Sequence, residues 1–228
     1  VSTNALFDSE LERKFIEALP MMNNDKRTVT ISQTLVNGKE GYLLKVNDFM
    51  WEIEPQVDLN SHDGVSVKCR PDFVIRPMFD TERKPVAVFT DGFSFHKDIV
   101  SDDTLKREAI RRSGNYIVWS LSYKDVQEVL HNQGEYYTET LDYNAMPSGA
   151  SMFKKFIKSR GIEAIPFLKM GNTELLMQYL SIEHADNIFA CHAEAYLWSL
   201  IDMGLPKRTL ELAVWTNKIK ELNQTLFK

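Results

Sequence analysis

Apolar positions recur along this chain with two different spacings, and the change from one to the other divides it. Leu11, Phe15, Ala18 and Leu19 fall on one face of a helix that Ser9 can cap, with Glu12 three residues later and Pro20 as a stop. Val29–Val36 and Tyr42–Val46 read as strands joined through Asn37-Gly38-Lys39-Glu40-Gly41, and Met50–Val57 as another extended run. Phe73-Val74-Ile75 and Val86-Ala87-Val88-Phe89 are apolar on consecutive residues, as in central strands covered on both faces; a polar turn at 80–84 separates them. Leu105–Arg112 is expected to be helical, with an acidic start at Asp102 and Asp103 and a basic end, the order the helix dipole favours, before Gly114 stops it. Tyr116–Leu121 reads as a buried strand and Asp125–His131 as a short helix. The order helix, three or four strands, helix, strand, helix predicts a mixed α/β core with a crossover through the helix at 103–113.

Beyond Asn132 the pattern becomes helical. A surface connector rich in Tyr and turn formers is expected over 133–147, then amphipathic stretches near 150–159, 173–181, 186–203 and 207–226. The expected organisation is a core at 5–132, the connector, and an all-helical C-terminal extension at 148–228.

Composition narrows the function. The 228 residues include 27 Lys and Arg against 32 Asp and Glu, a net charge of −5, which disfavours a purely electrostatic nucleic-acid binder. Residues 1–150 carry 17 basic and 24 acidic side chains, while 151–228 carry 10 and 8, so the acidity belongs to the first part. No run approaches the roughly 20 apolar residues that span a bilayer, and the start lacks a signal core, so a cytoplasmic location is expected. Cys69 and Cys191, the only cysteines, are too few for a disulfide framework or a four-cysteine zinc site. The first residue is Val, which suggests a piece of a longer polypeptide.

The segment with most chemistry runs from Arg70-Pro71-Asp72-Phe73-Val74-Ile75 to Val88-Phe89-Thr90-Asp91-Gly92-Phe93-Ser94-Phe95-His96-Lys97-Asp98. A carboxylate at the start of one central strand and another at the end of its neighbour share one edge of the sheet, where they can hold a hard divalent cation with water and phosphate. His96 can fold back over that edge. Taken singly, Pro-Asp before a strand and Asp-Gly after one are ordinary turn signals. Lys106 and Arg107 can reach a phosphate beside the cation, or Arg107 can pair with Asp103 within its own helix. Glu183, His184, Cys191, His192 and Glu194 do not share a helical face, which argues against a zinc site. Gly-rich phosphate loops, Gly-x-Ser-x-Gly and His-Glu-x-x-His are absent, so ATP hydrolysis, serine hydrolase and zinc peptidase chemistry are unsupported.

In order, Glu12, Pro71-Asp72-Phe73-Val74, Val88-Phe89-Thr90-Asp91-Gly92-Phe93-x-Phe95-His96, Asp103-x-x-Lys106-Arg107 and Ser113-Gly114-x-x-Ile117-Val118-Trp119 resemble the PD-(D/E)XK restriction-endonuclease-like superfamily. The set is similar to the branch containing the very-short-patch repair endonucleases and the nuclease-like domains at the C-terminus of large bacterial DEAD/DEAH-box helicases. The resemblance covers roughly residues 9–130. It implies a restriction-endonuclease-like core, a mixed central sheet flanked by helices, that hydrolyses DNA phosphodiesters with Mg²⁺ or Mn²⁺. It matches Asp72 to the metal-binding acid, Glu12 to the acid of the first helix and His96 to the histidine after the Phe-x-Phe segment, with Asp91 where the mismatch endonucleases have a histidine and a related branch its second acid. Asp72 and Asp91 are expected as metal ligands, Glu12 as an outer-shell acid and His96 as general base or leaving-group partner, and Lys97, Lys106 and Arg107 as the candidates for DNA phosphate. It further implies a helicase region in the same chain or complex, in DNA processing or anti-phage defence. Two departures bear on activity: Phe89 stands where a related branch has Glu, and Phe93 stands two residues after Asp91 where the motif has Lys. The competing expectation is a degenerate module that binds DNA or docks proteins.

Overall fold

A computed structural model describes residues 7–91, 100–132, 155, 157–161 and 170–192. Asn37 and Gly38 both take positive φ, 52° and 78°, as a two-residue hairpin of the type I′ kind requires. That turn fixes the register of β1 (Val29–Val36) against β2 (Lys39–Val46), antiparallel from Val29↔Val46 to Val36↔Lys39. The connection is thus two residues long where the sequence suggested five, because Lys39, Glu40 and Gly41 already pair with β1. β3 (Phe49–Pro55), β4 (Phe73–Pro77) and β5 (Val86–Asp91) extend the antiparallel meander. β6 (Ile117–Ser122) joins β5 in parallel, and the sheet order is β1-β2-β3-β4-β5-β6. A parallel neighbour needs a crossover, which α2 (Val100–Ser113) supplies. The chain is therefore an α/β protein with a six-stranded mixed sheet, and five strands, not three or four, precede the crossover.

Phe73, Val74, Ile75, Val86, Ala87 and Val88 are fully buried, as their consecutive apolar character predicts. Val74 and Ala87, with Val118 against them, pack against Ala109 and Ile110 of α2 and against Leu59, Val65, Cys69 and Tyr116. On the other face, Phe73 meets Phe15 of α1 (Glu10–Ala18) with ring centres 5.2 Å apart. At about 1.5–3 kcal/mol for each large apolar side chain buried, these two layers supply the main driving force of the sheet. α1 also packs on α3 (Tyr123–Asn132), which follows β6 directly.

A fourth helix, α4 (Asn172–Ser181), completes this unit although some forty residues separate it from α3. Sequence reasoning assigned it to a separate extension; the structure groups Gly171–Ser181 with the sheet. Arg27, 5% exposed, donates through Nη1 and Nη2 to Glu174 at 2.6 Å each and also reaches the Met22 carbonyl. Asn172 Nδ2 donates to the Ser120 carbonyl (2.7 Å), and its Oδ1 accepts from Trp119 Nε1 (3.0 Å). Trp51 Nε1 donates to the Leu180 carbonyl (3.1 Å), and Arg83, stacked over Trp51 with its Cζ 4.5 Å from the ring centre, donates to the Tyr179 carbonyl. The helix buries Thr173, Leu176, Met177, Tyr179 and Leu180. It is core in every physical sense, and its late position in the chain hides that.

The remaining described residues of the C-terminal part form a second compact unit, helical at 157–159 and 185–192, with Ile157, Ala185, Cys191 and His192 buried. The connector expected at 133–147 and the stretch at 207–226 lie outside the described residues. Among the described residues no helix is long and apolar enough to cross a membrane.

Removing one partner of a buried ion pair strands the other charge, at about 3–5 kcal/mol. Urea unfolding of Glu174→Ala is therefore expected to lose that amount, and the double replacement Arg27→Met with Glu174→Leu to recover most of it. A chain ended at residue 147 is expected to show no cooperative transition. A Glu174→Ala loss below about 1 kcal/mol would place this pair among exposed, weak ion pairs instead.

Candidate active site

α1 begins where the Ser9 hydroxyl accepts from the Glu12 backbone N–H (3.2 Å). In a full capping box the Glu12 carboxylate would turn back to Ser9; here Oε2 accepts instead from the Asp8 backbone N–H (3.2 Å) and from Gln56 Nε2 (2.5 Å). Glu12 thus lies on the inward side of the helix, only 2% exposed, in line with buried Phe15, Ile16 and Leu19. A carboxylate in register with an apolar stripe is a sequence signal for a working acid, since an ionised group there must be compensated.

Gln56 follows the last residue of β3 with φ at 54°, a left-handed conformation that costs a non-glycine residue roughly 1 kcal/mol or more. Its own N–H donates to the Asp72 carbonyl (2.9 Å) while its side chain holds Glu12. One residue therefore ties the end of β3 to both acids.

Asp72 immediately precedes β4, and because β5 runs antiparallel to β4, the end of β5 arrives beside it. Thr90 donates to Asp72 Oδ2 twice, from its backbone N–H (2.6 Å) and its hydroxyl (2.9 Å). Burial is the main cause raising the Asp72 carboxyl, the Thr90 bonds offset part of it, the charges of Glu12 and Asp91 add to it, and the group ends at about 6. Glu12 of α1 and Asp91 at the end of β5 are thus each within electrostatic reach of Asp72.

Asp91, the last residue of β5 and half-exposed, forms an ion pair with Arg107 of α2. The Arg107 guanidinium also lies over the Phe89 ring, with Cζ 4.8 Å from its centre, and its buried Nε has no hydrogen-bond partner among the described residues. Arg107 had been expected to pair with Asp103 or to face phosphate. It turns toward the sheet instead, and Lys106 takes the helical carboxylates, Asp102 at 2.6 Å and Asp103 at 3.9 Å. Arg111 and Arg112 both pair with Glu108. Of the basic groups on this helix, Arg107 is the one brought to the acidic edge. His96, Lys97 and Asp98 lie outside the described residues.

Hard divalent ions are often held by one or two carboxylates, with water and phosphate oxygens completing the shell. Asp72 and Asp91 fit that role: Thr90 fixes one oxygen of Asp72, and Asp91 projects from the adjacent strand end. Among the described residues no three His, Cys, Asp or Glu side chains form a group able to enclose an ion alone, so an ion held here would need oxygens from solvent or substrate. The elevation at Asp72, caused first by burial and then by the charges of Glu12 and Asp91, is the observation favouring a cation, because added positive charge relieves it. The sequence pattern gave Thr90 no role and placed Gln56 only within the extended run Met50–Val57.

The sign of the Asp72 shift sets a stability test. Its folded value lies above the ordinary 3.8, so the folded state binds more protons than the unfolded one between about pH 4 and 6, and stability falls as pH rises through that window. Asp72→Asn keeps an acceptor for Thr90 and removes the charge. In metal-free buffer at pH 7 it is expected to be more stable than the parent by about 2–3 kcal/mol, from two units at 1.36 kcal/mol each, with no advantage at pH 4. Urea melts at both pH values check this; equal stability at pH 7 contradicts it. No protein-family model, characterised protein or solved structure matches the chain in comparisons of sequence and fold.

Proposed function

We propose that the edge formed by Glu12, Asp72 and Asp91 is the active site of a metal-dependent deoxyribonuclease with a restriction-endonuclease-like core. The observation that carries this reading is the elevated Asp72, held by Thr90 and within reach of the charges of Glu12 on α1 and Asp91 at the adjacent strand end. The helix-meander-crossover order supports it, because that order juxtaposes the start of β4 with the end of β5.

A bound Mg²⁺ or Mn²⁺ ion supplies Lewis acidity to the scissile phosphate and lowers the pKa of the attacking water. With Oδ2 of Asp72 accepting from Thr90, its Oδ1 would take the ion, and Asp91 would offer the second carboxylate. Glu12 is fixed by Gln56 and the Asp8 N–H so that it can orient solvent at the site. Water adds to phosphorus, the P–O bond to one sugar oxygen breaks, and that oxygen takes a proton; the resemblance assigns the proton donor or acceptor to His96. Arg107 answers the missing motif Lys. Its charge sits on Asp91, beside the carboxylates proposed to hold the ion. The helicase neighbour and a cytoplasmic role in DNA processing or defence belong to this proposal through the resemblance alone.

The same ion pair favours a second reading. If Arg107 holds Asp91 permanently and Phe89 replaces an acid, the module binds DNA or a protein without cutting.

Plasmid nicking with Mn²⁺ or Mg²⁺ separates the two. The parent is expected to convert supercoiled DNA only with the metal, and Asp72→Asn, folded and stable, to lose cleavage at least 10²-fold. Arg107→Ala is expected to lose roughly 10²-fold, the scale for removing one preorganised donor. DNA binding without metal-dependent cleavage selects the degenerate module; equal cleavage by Asp72→Asn overturns the assigned site.

A further inference from the structure

We propose that the outer edge of β1 is an interface that pairs antiparallel with β1 of a second copy of this chain, around a two-fold axis at Gln33. β1 is the first strand in the sheet order, so among the described residues one side of it has no strand neighbour. Its eight residues, Val29-Thr30-Ile31-Ser32-Gln33-Thr34-Leu35-Val36, contain no charge and no proline, and Thr30 and Ser32 through Leu35 are exposed, Leu35 at 69%. Solvent-facing edges usually carry Lys, Pro, a bulge or a covering loop that blocks pairing. β1 pairs with β2 without a bulge over its whole length.

The register follows from the hairpin. A two-residue turn closes on the hydrogen-bonded pair Val36↔Lys39, so Val36, Thr34, Ser32 and Thr30 point their backbone groups toward β2. Val29, Ile31, Gln33 and Leu35 then point theirs outward. The Val29 N–H agrees, since it is met by the Asn23 side chain (3.0 Å) and not by β2. Among the described residues the outward groups of Ile31, Gln33 and Leu35 have no hydrogen-bond partner.

A two-fold at Gln33 places Gln33 against its own copy and Ile31 against Leu35 of the partner, twice. About six hydrogen bonds form from the outward groups of those residues. The same register sets Ser32 opposite Thr34 on the other face, so apolar meets apolar and hydroxyl meets hydroxyl. Because the strand is uncharged, no like charges oppose each other, which a self-pairing edge requires and a random partner would not. The axis reverses strand direction, so the two Asp72 edges open at opposite ends of the joined sheet, and the interface does not depend on the nuclease reading.

Sedimentation equilibrium over a concentration series tests this. The parent is expected at twice its 26.3 kDa chain mass at the upper concentrations. Gln33→Lys, which sets two ammonium groups against each other, is expected to be monomeric throughout with an unchanged circular dichroism spectrum. The pair Ser32→Cys and Thr34→Cys is expected to cross-link two chains under mild oxidation. A parent that stays monomeric overturns the proposal, as does a Gln33→Lys protein that dimerises equally well or a double-cysteine protein that fails to cross-link.

Discussion

Two hydrogen bonds from Thr90 to one oxygen of Asp72 hold the end of β5 against the start of β4, and they exist only because those strands run antiparallel. The same contact brings the Asp91 charge within reach of Asp72, which also feels the inward acid of α1. A folded chain gains nothing in stability from a carboxylate pushed up to about 6 by burial and like charge. Sites that break the rules of stable packing in this way are where function concentrates. The strained backbone of Gln56, which secures Glu12 and Asp72 together, belongs to the same pattern.

Rigidity for this edge comes from elsewhere in the unit. β4 and β5 are covered by α2 on one face and by α1 on the other, and α4 locks the second face through Arg27 and Glu174. The buried ion pair contributes little net stability compared with an apolar pair of the same shape. What it does is specify where α4 sits, together with Asn172 on Ser120 and Trp51 on Leu180. Asn172 also lies within 3.4 Å of Asp125, at the start of α3, so the far helix reaches the same end of β6 that borders the acidic edge.

Much of the sheet was legible because its signals are local. Consecutive apolar residues at 73–75 and 86–88 marked buried strands, Asn-Gly marked the hairpin, and Ser9 marked the helix start. Asp72 and Asp91 were legible as a pair because strand ends are readable and neighbouring antiparallel strands alternate direction. Three features were not legible. The membership of α4 in the core depends on Arg27 meeting a glutamate 147 residues away, which no periodicity records. The turn of Arg107 toward Asp91 was hidden by Asp103 at helical spacing, a pattern that suits an ion pair Arg107 does not make. Thr90 looked like one more strand residue, since only the pairing of β4 with β5 reveals what its hydroxyl meets.

The central claim is that the crowded edge exists to receive a divalent cation, and calorimetric titration of Mn²⁺ into the metal-free protein at neutral pH measures that directly. The account predicts saturable binding that is lost in Asp72→Asn and weakened in Asp91→Asn, with protons released as Asp72 gives up its raised affinity for them. Unchanged binding in Asp72→Asn, or none in the parent, would contradict it.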